Sequence, residues 1–227
     1  MGFVALSGLP RTGSTLLSAI LDQNPEIHAE GNSAVCQLMW DMQQSCEFNA
    51  TEQLQANYRQ ETQDDLVRAI PAIYYKDTTA THIVDKCRSW TLTPNMDMLR
   101  RYVREDPKVI VLTRPVEEIV ESFVRLRRSN GWQGDLESDL VIPDSEPIMR
   151  SLNGVQWAQD NNNGEFLFIE YADIVESTSD VVASIYEFCG IEFFAHDFDN
   201  VTNNYPEDDS VYGLQGQHEI RAKIGAR

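Results

Sequence analysis

Residues 7–17 near the amino terminus (SGLPRTGSTLL) have the spacing of a phosphate-binding loop. Gly8 is followed by four residues and then Gly13, and Thr15 stands where such a loop has its Ser or Thr. The residue before it is Ser14, although a loop that binds a nucleoside triphosphate has a lysine there. Backbone N–H groups that open a helix attract anions. The pattern therefore predicts an anion site that lacks the usual contact to the β- and γ-phosphates.

A cation inside the loop offers a substitute for the missing lysine. Arg11 lies two residues before Gly13, and the hydroxyls of Ser14 and Thr15 add further donors. We expect the ligand-binding residues of the loop to be Arg11, Thr12, Gly13, Ser14 and Thr15.

A second anion site is predicted at the end of another strand. Residues 108–113 (KVIVLT) form a continuous apolar run, and Arg114 follows directly. An arginine at the carboxyl end of a parallel strand lies where open α/β sheets bind ligands. Ser122 comes eight residues later, and its hydroxyl together with the arginine fork predicts a second phosphate site. Of the other arginines on this helix, we expect Arg125 to face the ligand and Arg127 to face solvent.

The elements that must position these residues alternate between strand and helix. The apolar patterns predict strands at 3–7, 82–85, 108–113 and 165–170. They predict helices at 13–22, within 33–70, and at 95–104, 115–128, 145–161 and 179–188. This alternation predicts one α/β domain over 1–227 with a mainly parallel sheet and an irregular tail from about 196.

Charge and composition exclude several classes of partner. The chain of 227 residues has 18 Lys and Arg against 36 Asp and Glu, a formal charge of -18, which disfavours nucleic acid and anionic membranes. The four cysteines have no metal-ligand spacing, so no metal site is predicted. No apolar stretch has the length of a signal peptide core or a membrane helix. We therefore expect a soluble, cytoplasmic protein.

Four segments resemble the sulfotransferases that use 3′-phosphoadenosine 5′-phosphosulfate. Residues 10–17 (PRTGSTLL) are similar to their 5′-phosphosulfate loop, and residues 112–123 (LTRPVEEIVESF) resemble their 3′-phosphate motif. Residues 84–90 (VDKCRSW) resemble the DK-x-P segment, and residues 168–175 (FIEYADIV) resemble the Y-E-D-L segment. The loop is more similar to that of tyrosylprotein and carbohydrate sulfotransferases than to that of the cytosolic small-molecule enzymes.

The resemblance implies a P-loop-like three-layer fold and a metal-independent reaction. A sulfuryl group would pass from 3′-phosphoadenosine 5′-phosphosulfate to a hydroxyl or amine acceptor, leaving adenosine 3′,5′-bisphosphate. Arg114 and Ser122 would bind the 3′-phosphate, Tyr171 would approach the adenine, and Arg221 in the tail would add to the 3′-phosphate site. The sequence departs from the family pattern after the DK pair and at Ala172, where relatives have Glu.

Catalysis by this route needs cations at the transferred group and a base for the acceptor. We expect Arg11, Ser14 and Lys86 to stabilise the sulfuryl oxygens and the leaving phosphate. The resemblance favours Glu30 as the base, although in the tyrosylprotein type the acid falls a residue or two later. His28 is the alternative base.

Two other functions stay open from the sequence. A magnesium-dependent nucleotide kinase would need a carboxylate near the loop, and Asp85 is the one candidate at a strand end. A non-catalytic nucleotide-binding protein would keep the loop without turnover. The acceptor, be it carbohydrate, peptide or small molecule, is not specified, and residues 33–80 and 129–160 are expected to shape its site.

Overall fold

The computed structural model describes residues 2–224; Met1 and residues 225–227 lie outside this range. Its centre is a parallel sheet with the strand order β2-β3-β1-β4-β5. The strands are β1 Gly2–Gly8, β2 Ile27–His28, β3 His82–Lys86, β4 Lys108–Thr113 and β5 Phe166–Glu170. Because β2 and β3 lie on one side of β1 and β4 and β5 on the other, the loops diverge at the carboxyl end of β1. Ligands of open α/β sheets bind at such a point.

Helices connect the strands and cover the sheet. They are α1 Ser14–Leu21, α2 Val35–Gln44, α3 Thr51–Ala56, α4 Thr62–Tyr74, α5 Thr93–Met98, α6 Val116–Ser129, α7 Met149–Asp160, α8 Tyr171–Glu176 and α9 Thr178–Cys189. Single π-helical turns extend α2 and α5, at Ser45–Asn49 and Leu99–Val103. Short 3-10 turns lie at Arg88–Thr91 and Ser138–Val141. Within residues 2–224 we find no helix with the length and apolar character needed to cross a bilayer.

Side chains alternate along the strands and divide the core into two layers. In β1, Phe3 and Ala5 contact one apolar cluster, and Val4 and Leu6 contact the other. Helices α2, α4, α5, α6 and α7 contribute to the first cluster, and α1, α8 and α9 to the second. Burial of each aliphatic side chain in these clusters stabilises the folded state by about 1.5–3 kcal/mol. Because helices cover both faces of a parallel sheet, the predicted three-layer α/β fold is confirmed.

The backbones of β1 and β4 approach closely at Gly8, where only glycine fits. Gly8 has a φ of 123°, and a Cβ there would lie 2.1 Å from the carbonyl oxygen of Leu112. The N–H of Leu9 donates to the same oxygen at 2.9 Å. These contacts fix the point from which residues 9–13 turn over the edge of the sheet.

Two local features differ from the sequence-based expectation. Strand β2 is not predicted, because two residues show no recognisable alternation; it pairs Ile27 with His82 at the edge of the sheet. Pro115 precedes α6 with an extended ψ of 132° and does not take the first helical position.

The chain beyond α9 forms an irregular tail. Gly190 ends α9 with a φ of 67°, and residues 191–224 contain no helix or strand. The tail is tied to itself by the N–H of Val201, which donates to the carbonyl of Ala222 at 2.8 Å. It is tied to the end of α6 by two hydrogen bonds between Asn130 and the backbone of Gln215, of 2.8 and 3.0 Å. The tail thereby packs against the end of α6.

Candidate active site

A cavity of about 1070 Å³ lies at the carboxyl ends of β1, β3 and β4. The loop after β1, helix α6 and the end of the tail complete its walls. Among the described residues, its charged lining comprises two acidic side chains, Glu176 and Glu219, and eight basic ones: Arg11, Lys86, Arg88, Arg114, Arg125, Arg127, Arg221 and Lys223. The charged lining of the cavity is therefore mainly basic, although the whole chain is acidic, and it suits an anionic ligand.

The loop presents the start of α1 to this cavity. Gly13 precedes the helix with a φ of 78°, and no side chain caps the first turn, which begins at Ser14. The first N–H groups of α1 and the positive end of its dipole are therefore available to bind an anion in the cavity. Thr12 is fully buried, and its hydroxyl donates to the carbonyl of Leu9 at 2.6 Å. The Thr12 side chain thus holds the turn and does not line the cavity.

Arg11 joins the loop to helix α6. Its Nε donates to Ser122 Oγ at 3.1 Å, and its Nη1 donates to the carbonyl of Gln217 in the tail. Burial and the neighbouring Arg114 lower the pKa of Arg11, although an arginine stays charged in proteins. Two residues that the sequence assigns to separate anion sites therefore touch each other.

Arg114 lies on the other side of the same loop. Its Nη1 donates to the carbonyl of Arg11 at 2.9 Å, and its Nε donates to Glu118 at 3.0 Å. The guanidinium lies 4.2 Å from the ring centre of Tyr171. That ring also packs on the loop, because a Cβ at Gly13 would approach it to 3.1 Å. Arg114 and Tyr171 therefore support the loop as well as lining the cavity.

Lys86, the last residue of β3, links the sheet, the loop and the tail. Its side chain is 3% exposed, and Nζ donates to Thr15 Oγ1 at 3.3 Å and to Glu207 Oε2 at 3.1 Å. Burial lowers the pKa of Lys86, and the Glu207 carboxylate opposes that shift. Lys86 therefore lies at the same edge as the loop, beside the first turn of α1.

Three tail residues that the sequence did not assign to the site, Glu207, His218 and Asp209, form a chain of polar contacts that begins at Lys86. Glu207 also accepts from Asn32 Nδ2 at 2.9 Å. Burial favours a higher pKa for Glu207, but Lys86 and His218 outweigh it, and the net pKa is lowered. Asp209 Oδ1 lies 2.6 Å from His218 Nδ1. The polar segment that carries these acids has no pattern that distinguishes it from a solvated loop.

The two predicted base candidates lie outside this cavity. His28 is in β2, and its ring contacts the rings of Tyr75 and Tyr205 at centroid distances of 5.5 and 4.9 Å. Its Nε2 is 3.2 Å from Glu30 Oε2. Neither side chain is part of the cavity lining.

The arginines of α6 divide differently from the expectation. Arg125 lines the cavity and is 3.5 Å from Glu121. Arg127, predicted to face solvent, is buried, and it donates two hydrogen bonds of 2.6 and 2.8 Å to the Asp139 carboxylate. The prediction for Arg127 was wrong because its partner lies outside α6, in the 3-10 turn at Ser138–Val141. Arg221 of the tail lines the cavity with Arg125.

A second cavity of about 650 Å³ lies next to the first. Its walls come from α2, α7 and the segment between β3 and α5, and include Trp40, Trp157 and Arg150. Asn32 and Lys86 line the first cavity, whereas the residues that follow them, Ser33 and Cys87, line the second. The two cavities therefore lie beside the same pair of chain segments.

Asp85 lies in the core and not at the loop. Its carboxylate accepts hydrogen bonds from Ser33 Oγ, Tyr75 OH and Trp90 Nε1 at 2.6, 2.7 and 2.6 Å. It is fully buried, which raises its pKa although the three donors act in the opposite direction. Asp85 is the strand-end carboxylate that a magnesium-dependent transfer would require, and these donors already engage it.

Comparison with known proteins places the chain in a family. The model of the sulfotransferase family matches residues 4–195. The fold is similar to that of a sulfotransferase domain from the curacin biosynthetic pathway, with 18% identity, a TM-score of 0.56, and 85% of this chain and 75% of that chain covered. The sulfotransferase domain of the Synechococcus PCC 7002 olefin synthase gives 21% identity, a TM-score of 0.59, and 85% and 74% coverage.

A sulfotransferase from Alicyclobacillus acidocaldarius has the same fold, with 13% identity, a TM-score of 0.58, and 93% of this chain and 88% of that chain covered. No protein with a curated description matches the sequence. The family match extends over most of the chain and includes the loop, β3 and the Arg114 segment. The chain belongs to the sulfotransferase family.

Proposed function

We propose that the protein transfers a sulfuryl group from 3′-phosphoadenosine 5′-phosphosulfate to a hydroxyl or amine acceptor. The observation that carries this proposal is the meeting of Arg11, Arg114 and Ser122 beside the uncapped start of α1. One cavity thus offers a helix N-terminus and, next to it, a separate cluster of two guanidinium groups and a hydroxyl. A donor with a 5′-phosphosulfate and a 3′-phosphate requires two such places.

The 5′ end of the donor is assigned to the loop. The first N–H groups of α1, with the hydroxyls of Ser14 and Thr15, bind the phosphosulfate. Lys86 contacts Thr15, so its ammonium group lies beside the same anion and stabilises the charge that develops on the leaving phosphate.

The 3′-phosphate is assigned to the cluster on α6. Arg114 and Ser122 bind it, as the resemblance implies, and Arg11 joins them because its guanidinium already reaches Ser122. Arg221 lines the same cavity and adds a further cation, and the exposed part of the Tyr171 ring is available to the adenine.

The acceptor is assigned to the second cavity. That cavity is lined by residues of the two segments expected to shape the acceptor site, including Trp40 of the first and Trp157 of the second. Its tryptophans favour an acceptor with an aromatic or apolar body, and Arg150 favours a polar or anionic group on it. Its position beside Lys86 and Cys87 brings such an acceptor next to the transferred group.

Two observations disfavour magnesium-dependent phosphoryl transfer. The loop has Ser14 in place of lysine, and Asp85 is held by three donors in the core. A non-catalytic nucleotide-binding protein would use the same cavity, and turnover separates it from an enzyme.

The direct test follows a radiolabelled sulfuryl group from the donor to a panel of alcohols, phenols and amines in the presence of a chelator. We expect labelled product, and we expect Ser122→Ala to raise the KM for the donor about fivefold through loss of one hydrogen bond of about 1 kcal/mol. Ser129→Ala, on the same helix, is the matched control. Transfer that stops when magnesium is chelated would contradict the proposal.

A further inference from the structure

His218 of the tail contacts the carboxylate of Asp209, and both side chains are nearly inaccessible to solvent. His218 Nδ1 lies 2.6 Å from Asp209 Oδ1, and the backbone N–H of His218 donates to the other carboxylate oxygen at 3.1 Å. The two side chains are 10% and 8% exposed. Because the two oxygens of the Asp209 carboxylate contact the backbone and the ring of His218, they fix the position of the imidazole ring.

This arrangement sets the protonation of the ring. The short contact to a carboxylate assigns the proton of the neutral imidazole to Nδ1. Nε2 then carries a lone pair, and it faces two amide nitrogens, Asn32 Nδ2 and Gln217 Nε2, each at 3.3 Å. Both are donors, which is consistent with an accepting Nε2.

The accepting nitrogen lies on the side of the ring that faces Glu207, the partner of Lys86. Glu207 Oε2 lies 3.1 Å from Lys86 Nζ and 3.7 Å from His218 Nε2. An anionic oxygen therefore already stands between the ammonium group and the imidazole. Lys86 in turn contacts Thr15 in the first turn of α1, so this position adjoins the loop.

We infer that His218, oriented by Asp209, is the general base of sulfuryl transfer, an inference that rests on the proposed function. His218 Nε2 takes the proton of the acceptor hydroxyl while the acceptor oxygen bonds to sulfur. The bond between sulfur and the bridging oxygen breaks, and its electron pair leaves with adenosine 3′,5′-bisphosphate. The proton then passes from the imidazolium to solvent.

The location of the other candidates supports this choice. Glu30 and His28 contact each other and do not line the cavity, whereas His218 does. Among the described residues, the charged groups that contact His218 are Asp209 and Glu207 of the tail, and Lys86 of β3 is linked to it through Glu207. The ring of Tyr212 packs against His218 at a centroid distance of 5.3 Å.

The test compares two acceptor probes that differ in their need for a base. Phenol stays protonated at mildly alkaline pH, whereas 4-nitrophenol is largely ionised and attacks without losing a proton to the enzyme. We expect His218→Gln to reduce kcat with phenol by about 10²–10⁴-fold and to reduce it far less with 4-nitrophenol. Asp209→Asn should give a smaller loss of the same kind, and His82→Gln, at the start of β3, is the matched control.

Binding of adenosine 3′,5′-bisphosphate is measured on the same variants to separate the base from the donor site. We expect His218→Gln to bind it within about twofold of the parent and to lose the acid limb of the pH–rate profile. Equal losses with both phenols, or no loss with phenol, would overturn the role of His218. Failure of the parent to bind the bisphosphate would instead overturn the proposed function.

Discussion

Glu207 of the tail forms an ion pair with Lys86, with 3.1 Å between Oε2 and Nζ, and both side chains are almost completely buried. Lys86, which also contacts Thr15 in the first turn of α1, is thus neutralised by the protein itself. The tail also holds Arg11, whose Nη1 donates to the backbone carbonyl of Gln217. An anionic ligand that reaches Lys86 must therefore compete with the tail for the cation.

Neutralising this carboxylate should strengthen binding of the donor. Glu207→Gln removes a negative charge beside the predicted phosphosulfate position and keeps the shape of the side chain. We expect the bisphosphate and inorganic sulfate to bind about tenfold more tightly, equivalent to about 1.4 kcal/mol. Calorimetric titration measures this, with Glu192→Gln in the exposed part of the tail as the control. Weaker binding in Glu207→Gln would show that this acid supports the ligand site.

Removing Arg114 should discriminate between two nucleotides. Arg114→Ala should weaken binding of adenosine 3′,5′-bisphosphate by about 1.5–3 kcal/mol and leave binding of AMP much less affected, because AMP lacks the 3′-phosphate. Titration of both ligands checks this, and Arg128→Ala, which removes an exposed arginine of the following helix α6, is the control. Equal losses for the two ligands would remove Arg114 from the 3′-phosphate site.

A methyl group at Gly13 should disturb the loop through a specific contact. Gly13→Ala places a Cβ at a φ of 78° and 3.1 Å from the Tyr171 ring. Gly131→Ala is a matched control, because its φ of 81° imposes similar backbone strain of about 1–2 kcal/mol while nothing lies within 4 Å. Both variants should lose stability in urea unfolding, and only Gly13→Ala should lose bisphosphate affinity. Equal affinities would place the ligand away from the loop.

Acid should weaken the attachment of the loop after α6. Hydrogen bonds from Arg127 hold the pKa of Asp139 below its ordinary value of 3.8. A carboxylate with a lowered pKa in the folded state contributes stability that is fully present above its ordinary pKa. That contribution is lost as the pH falls from the ordinary pKa through the lowered one. Asp139→Asn should therefore lower the free energy of unfolding at neutral pH and change it little at strongly acidic pH. A variant with the same deficit at both pH values would contradict the assignment.

The parts of the fold that could be predicted are those in which the pattern is local. Strand β4 has the predicted bounds, 108–113, because a β-branched run buried on both faces leaves no ambiguity. The sequence also predicts one common edge of the sheet for Arg11, Arg114 and Ser122, because the segments that follow neighbouring parallel strands begin at the same carboxyl edge. The closer likeness to the tyrosylprotein and carbohydrate type, and the extent of one domain over 1–227, stay predictions.

The tail could not be placed from its sequence. Glu207, Asp209 and His218 lie in a segment without periodicity, and their positions depend on contacts to Lys86, Asn32 and each other. The same limit explains Arg127, whose charge pattern gave no sign of a partner twelve residues further on. Contacts made by irregular segments depend on the finished fold and not on local sequence.

The measurement that tests the central claim most directly is a calorimetric titration with adenosine 3′,5′-bisphosphate, run beside ATP with and without magnesium. The proposed donor site predicts tight bisphosphate binding that does not depend on magnesium, and weak binding of ATP. Preferential binding of magnesium-ATP would contradict it and would point to phosphoryl transfer.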